Sequence, residues 1–147
     1  MNAARRLRRD DGVTLVEILV AVSILGIALV TLMGGLWTAI VSSDQHRKEA
    51  SAGVALRTYA EAVQNASYTG CATTSTYAPA AVGFTTPGGY TASVTTAEYW
   101  HPSGTDPNTG TFDTTCSTDQ GLERLTLSVA SSDSRATETI QVLKRKP

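Results

Sequence analysis

The order of apolar and polar residues first defines a long uncharged segment near the N-terminus. No ionisable side chain occurs from Ile18 to Val41, a run of about two dozen residues. About 20 helical residues are enough to cross a bilayer core of about 30 Å. This run therefore predicts a membrane-spanning helix, and Trp37 near its outer end suits a membrane interface.

The next segment has a helical pattern with one apolar face. Ser42 to Ala66 contains no proline and one glycine. Its apolar residues recur at the spacings that line one face of an α-helix; they are Ala52, Leu56, Tyr59, Val63 and Ala66. We predict one continuous helix from about Thr14 to Ala66, whose second half packs this face against a sheet.

The rest of the chain predicts a small antiparallel sheet. Tyr90 to Trp100 is rich in aromatic and β-branched residues and follows a Pro-Gly-Gly turn. Further on, apolar and polar residues alternate on both sides of a turn at residues 131–136. In this hairpin we expect Leu127 to face Ile140 and Leu125 to face Val142, with Val129 on the same face. The predicted fold class is α+β, a long N-terminal helix packed against a small antiparallel sheet.

Composition and charge exclude several classes of function. Without residues 1–12, eight basic and eleven acidic residues remain, so charge gives no reason to expect nucleic-acid binding. There is no glycine-rich phosphate loop, no close metal-ligand spacing and no nucleophile–base arrangement. We therefore predict a protein that is not an enzyme and that uses no cofactor and no metal.

The two cysteines, Cys71 and Cys116, both follow the apolar run. Four arginines precede that run, so the positive-inside rule places the N-terminus in the cytoplasm and the cysteines outside. Disulfides persist there, and we predict a Cys71–Cys116 bond. A pair of free buried thiols is the alternative. A zinc site that also uses His46 and His101 is disfavoured because no two ligands are closely spaced.

A carboxylate at the start of the apolar run, Glu17, decides between three interpretations of this segment. A secretory signal peptide has a core of about 7–15 residues that ends at a small-residue cleavage site, and this run is longer and lacks such a site. A plain single-pass anchor leaves Glu17 unexplained. The third interpretation is cleavage before the apolar run, with the whole run kept in the product.

The sequence GVTLVE at positions 12–17 lies behind a short basic leader and ahead of a long apolar helix. It resembles the N-terminal signature of type IV pilins and type II secretion pseudopilins, which is Gly, usually Phe, then Thr-Leu-Ile/Val-Glu. The resemblance implies that a prepilin peptidase cleaves between Gly12 and Val13, that Val13 is N-methylated, and that Glu17 acts in assembly. Val13 stands where Phe is usual.

The resemblance also implies an organisation and a set of partners. Residues 1–12 would be a leader peptide, 13–41 the transmembrane and assembly helix, and 42–147 an extracytoplasmic αβ pilin-like domain. The protein would first be a single-pass cytoplasmic membrane protein in contact with lipid, and then part of a cell-surface filament. Its partners would be the prepilin peptidase, other pilin subunits and an inner-membrane assembly platform, with nucleic acid entering only through filament function. The short leader and the generic domain favour a minor pilin or pseudopilin over a major subunit.

Electrostatics explains why a carboxylate, Glu17, occurs at the start of the apolar run. Cleavage would create an ammonium at Val13, and an unpaired charge in an apolar bundle is costly unless a carboxylate lies nearby. Glu17, one helical turn away, would pair with its own amine or with that of a neighbouring subunit. The alternative function is an uncleaved single-pass membrane protein that displays an extracellular binding domain.

Two further features have two interpretations each. The tail Lys144-Arg145-Lys146 is basic, which indicates either a solubilising terminus or a contact with DNA or an acidic partner. Trp100 suits either a place in the core, which we favour, or an adhesive patch together with the surrounding loops.

Overall fold

The computed structural model describes residues 14–104, 106 and 108–147. Within them, one helix is followed by four strands: α1 (Leu15–Asn65), β1 (Tyr90–Pro102), β2 (Gly110–Asp113), β3 (Leu122–Ser131) and β4 (Thr137–Arg145). The chain divides into two compact units, with the boundary after Ser42. The predicted helix is confirmed to within one residue at each end.

The second unit contains an antiparallel sheet with the strand order β2-β1-β3-β4. Leu125 lies opposite Val142 and Leu127 opposite Ile140, which confirms the predicted hairpin register. Ile140 nevertheless remains 38% exposed, whereas Val142 and Lys144 further along the same face of β4 are buried. The short strand β2, whose sequence is Gly-Thr-Phe-Asp, was not predicted.

The core of this unit lies between the second half of α1 and one face of the sheet. The predicted helix face is confirmed: Ala52, Leu56, Tyr59 and Val63 are buried, and Ala66 packs against them. From the sheet, Leu125, Leu127 and Val129 are fully buried. The architecture is therefore the predicted α+β, pilin-like arrangement of a long helix on an antiparallel sheet.

Tyrosine hydroxyls of the helix and of the sheet donate hydrogen bonds to the irregular segment between α1 and β1. Tyr59 on the helix donates to the carbonyl of Tyr77 at 2.7 Å, and Tyr99 on β1 donates to the carbonyl of Ala72 at 2.6 Å. The Tyr59 ring also stacks on Phe84, with ring centroids 5.0 Å apart. Burial raises the pKa of Tyr59 to about 12, so this hydroxyl remains a donor at any physiological pH.

The predicted disulfide joins Cys71, just after the helix, to Cys116, just before β3. Their Cα atoms are 5.6 Å apart, and the bond closes a loop with a sequence separation of 45. Because the two sulfur atoms are bonded to each other, neither cysteine is a free thiol. The Nδ1 atom of His46 lies 3.4 Å from Oε2 of Glu49. The Nε2 atom of His101 lies 2.8 Å from the carbonyl oxygen of Thr115.

Trp100 is a correction to the sequence analysis, which favoured a place in the core. Its neighbour Tyr99 points into the core, and alternation along β1 turns Trp100 to the opposite face of the sheet, where it is half-buried.

Candidate functional site

The N-terminus of α1 is closed by a cap built from the signature residues themselves. The Thr14 hydroxyl accepts a hydrogen bond from the Glu17 amide at 3.3 Å, and the Thr14 carbonyl accepts from the Ile18 amide at 3.2 Å. A threonine followed three residues later by a glutamate is the sequence of a capping box. The Thr-x-x-Glu spacing therefore has a second role, in capping the helix, that was not predicted from the sequence.

Glu17 lies in the first turn of α1 and is exposed. A carboxylate there is stabilised by the helix dipole, whose positive end is at the N-terminus. No basic side chain lies within 4 Å of it in the described part of the chain. Gly12 and Val13, the predicted cleavage and methylation positions, lie outside the described residues.

The helix in the first unit is covered with exposed apolar side chains. The large hydrophobic residues from Leu15 to Val41 are between 41% and 79% exposed. By length and composition, α1 is able to cross a membrane. So large an apolar surface is not stable in water and requires lipid or protein around it.

The hydroxyl groups on this apolar stretch are satisfied within the helix. Ser23 donates to the carbonyl of Leu19 at 2.8 Å, Thr31 to that of Ala28 at 2.9 Å, and Thr38 to that of Gly34 at 3.0 Å. Hydroxyls bonded to their own helix do not need water or a partner, which lowers the cost of placing them in hydrocarbon. The uncharged run from Ile18 to Val41 is therefore compatible with a bilayer.

At the other end of α1, Lys144 holds the last helical turn to the sheet. Its ammonium donates to the carbonyls of Val63 at 2.9 Å and Gln64 at 3.3 Å, and also to that of Ala66. The Val63 and Gln64 carbonyls are among those that an α-helix leaves without an intrahelical partner. Lys144 is only 6% exposed, so the solubilising role assigned to it from the sequence is wrong. The side chain faces inward because alternation along β4 puts it on the same face as Val142.

Glu123 is the acidic counterpart of Lys144. The two residues face each other in the β3–β4 register. Glu123 is fully buried, and neither carboxylate oxygen has a hydrogen-bond partner within the described residues. Burial raises the pKa of Glu123, although the positive charge of Lys144 favours the ionised form. Burial likewise lowers the pKa of Lys144.

These shifts predict a pH-dependent stability that Glu123→Gln should remove. The carboxyl of a glutamate in an unfolded chain has a pKa of about 4.3. In the folded domain, Glu123 keeps its proton to a higher pH. The contribution of Glu123 to stability is therefore greatest below the unfolded pKa and falls as the pH rises through the folded pKa. Urea unfolding of the full chain should show the variant gaining stability relative to wild type as the pH rises from about 4 to about 8.

The control for this experiment is Glu61→Gln, which removes an exposed carboxylate from the same domain. It should show no such trend. The assignment of a raised pKa to Glu123 would be contradicted if the free energy of unfolding of Glu123→Gln, relative to that of wild type, stayed constant or fell as the pH increased.

A family model described as "prokaryotic N-terminal methylation motif" matches residues 7–33. The match includes the GVTLVE sequence and more than half of the apolar run, and it covers less than a fifth of the chain. Comparison with curated proteins and with solved structures finds no match.

The exposed apolar helix suggests a protein anchored in a membrane before assembly, and an α+β domain follows it. The methylation motif in its N-terminal segment supports a type IV pilin-like prepilin. The motif implies processing by a prepilin peptidase and assembly with other pilins, and it indicates a structural subunit.

Proposed function

We propose that the protein is a structural subunit of a type IV pilus or of a type II secretion-like pseudopilus. The observation that carries the proposal is the methylation motif over residues 7–33, placed at the start of an exposed apolar helix. The pilin-like α+β domain supports it. Within this proposal the protein is a minor rather than a major subunit.

In this proposal the leader, residues 1–12, is removed by cleavage between Gly12 and Val13, and Val13 is then methylated. Residues 13–41 form the transmembrane and assembly helix, and residues 42–147 form the extracytoplasmic domain. The N-terminus faces the cytoplasm before assembly, and an inner-membrane platform transfers the subunit from lipid into the filament. The filament would serve motility, adhesion, DNA uptake or secretion.

The proposed role of Glu17 follows from its position. Near the end of the membrane helix, its charge costs less than the ~2.5–3.5 kcal/mol of a charged residue at mid-membrane. During assembly the helix enters a bundle of similar helices, where the Val13 ammonium of the same or a neighbouring chain would pair with the carboxylate. Pairing in a medium of low dielectric constant is much stronger than in water, so it selects the correct axial position of each new subunit.

Glu17→Ala tests this role. The capping hydrogen bond uses the backbone amide of Glu17 and the side chain of Thr14, so the helix should still form and insert. We expect normal membrane insertion and cleavage but loss of the subunit from sheared filaments, measured by immunoblotting of membrane and filament fractions.

The matched control is Glu61→Ala, which removes an exposed acid from the second half of the same helix. It should enter filaments normally. If Glu17→Ala also enters filaments at the wild-type level, the pairing role is wrong.

A further inference from the structure

The two features that the filament role leaves unused, Trp100 and the basic tail, lie in one pocket. The pocket has a volume of about 450 Å³ and is formed by the ends of β1 and β4, Asn108 before β2 and the segment before β3. Its lining includes Trp100, Asn108, Gln120, Leu122, Arg145 and Lys146. This volume is in the range of small-molecule sites, which combine an apolar surface with a few polar groups.

The aromatic wall of the pocket is held in place from behind. The Trp100 ring packs edge-on against Phe112, with centroids 5.2 Å apart. A side chain at Gly110 would come within 2.7 Å of the indole, so glycine is what lets the β2 backbone support the ring so closely. A fixed aromatic ring loses little conformational entropy when a ligand stacks on it.

The cationic wall is positioned by a turn before β3. Gly121 has a φ of +76°, a left-handed conformation that favours glycine. Its carbonyl accepts from the Lys146 amide at 2.9 Å, and its own amide donates to Asp119 at 2.9 Å. These bonds hold the backbone of the tail against the turn, next to the pocket.

Both cations of the pocket are available for a ligand. Arg145 and Lys146 are exposed, and neither has an acidic partner within 4 Å in the described part of the chain. The nearby acid, Asp119, accepts hydrogen bonds from the Tyr68 hydroxyl and the Gly121 amide, which lower the pKa of its carboxyl, and the charge of Lys146 also lowers it. A ligand anion would therefore meet two positive charges, and a carboxylate fits the two parallel donors of a guanidinium.

We propose that this pocket binds an acidic sugar unit, such as a hexuronic acid. The apolar C–H face of the ring would stack on Trp100, its carboxylate would pair with Arg145 and Lys146, and its hydroxyls would bond the amides of Asn108 and Gln120. Single-stranded nucleic acid fits less well. It is bound by grooves that combine several cations with successive aromatic platforms, whereas this site has one half-buried aromatic ring and residues 42–147 carry eight basic against ten acidic residues. The site does not depend on filament assembly.

The test is calorimetric titration of the full chain in phosphatidylcholine nanodiscs with trigalacturonic acid. We expect saturable binding, and binding of the uncharged analogue galactotriose at least about tenfold weaker, since charge-assisted hydrogen bonds are lost. Arg145→Gln and Lys146→Gln should each weaken binding of the acid by about tenfold for the same reason. Arg57→Gln, the same change at an exposed arginine outside the pocket, should leave it unchanged.

Trp100→Leu tests the stacking contribution and should also weaken binding by about tenfold. Because both glutamine variants are at exposed positions, the test remains decisive even if Trp100→Leu folds poorly. Absence of saturable binding, or equal affinities in all variants, would overturn the proposal. Tighter, variant-sensitive binding of a short oligothymidylate would overturn it in favour of nucleic acid.

Discussion

Replacing Cys71 and Cys116 together with alanine should lower the free energy of unfolding by about 4 kcal/mol. The bond closes a loop with a sequence separation of 45, and in the chain-entropy model opening a loop of this length restores that much conformational freedom to the unfolded chain. Typical net stabilities are only about 5–15 kcal/mol. The loss should therefore be a large fraction of the total, measured by urea unfolding of the full chain in mild detergent.

Reduced wild-type protein is the natural control for the double variant. With dithiothreitol, wild type should unfold at the same urea concentration as the variant, and the variant itself should not respond to the reductant. A double variant as stable as the oxidised wild type would show that the loop is held by its other contacts, including the Tyr99–Ala72 hydrogen bond.

Lys144→Met should have the second largest effect, a loss of about 3 kcal/mol. The change leaves the carbonyls of the last helical turn without their donor and leaves Glu123 without the positive charge opposite it. Leaving buried carbonyls without their donor costs about 1–3 kcal/mol for each group, and methionine fills most of the lysine volume, so we expect a total near the upper end of that range. The measurement is the same urea unfolding.

Lys146→Met provides the matched control, because it makes the same change two residues away at an exposed position. Its effect should be within about 0.5 kcal/mol. The double variant Glu123→Gln/Lys144→Met should recover part of the loss, since no buried charge then remains uncompensated. Strictly additive losses would show that the two side chains do not interact.

The sequence predicted the elements whose pattern is local. The apolar face of α1 and the alternation of Leu125, Leu127 and Val129 repeat at the period of their own element, and these residues form the core. The hairpin register followed because the two strands are joined by a short turn. The methylation motif was equally local, a run of consecutive residues that needs no tertiary context.

The sequence did not predict contacts between distant polar residues. Lys144 lies within a run of three basic residues, and only pairing with β3 turns it inward to α1, about eighty residues earlier. Alternation along the predicted strand could have suggested this, because Lys144 is in phase with Val142. β2 was missed because its single apolar residue, Phe112, gives no period.

Trp100 is a second residue whose position depends on its neighbours in the strand rather than on its own side chain. Its size favoured the core, but the position of Tyr99 next to it decides which face it occupies. The pocket that it forms with Arg145 and Lys146 depends on the Gly121 turn, which brings the tail to β3.

The central claim is that the chain is a prepilin cleaved before its apolar helix. The most direct test is the intact mass and N-terminal sequence of the membrane-bound product after co-expression with a prepilin peptidase. The account predicts a product that begins at methylated Val13 and retains Ile18 to Val41. A chain that still begins at Met1 would contradict it in favour of an uncleaved anchor, and a product that begins beyond residue 39 would contradict it in favour of secretion.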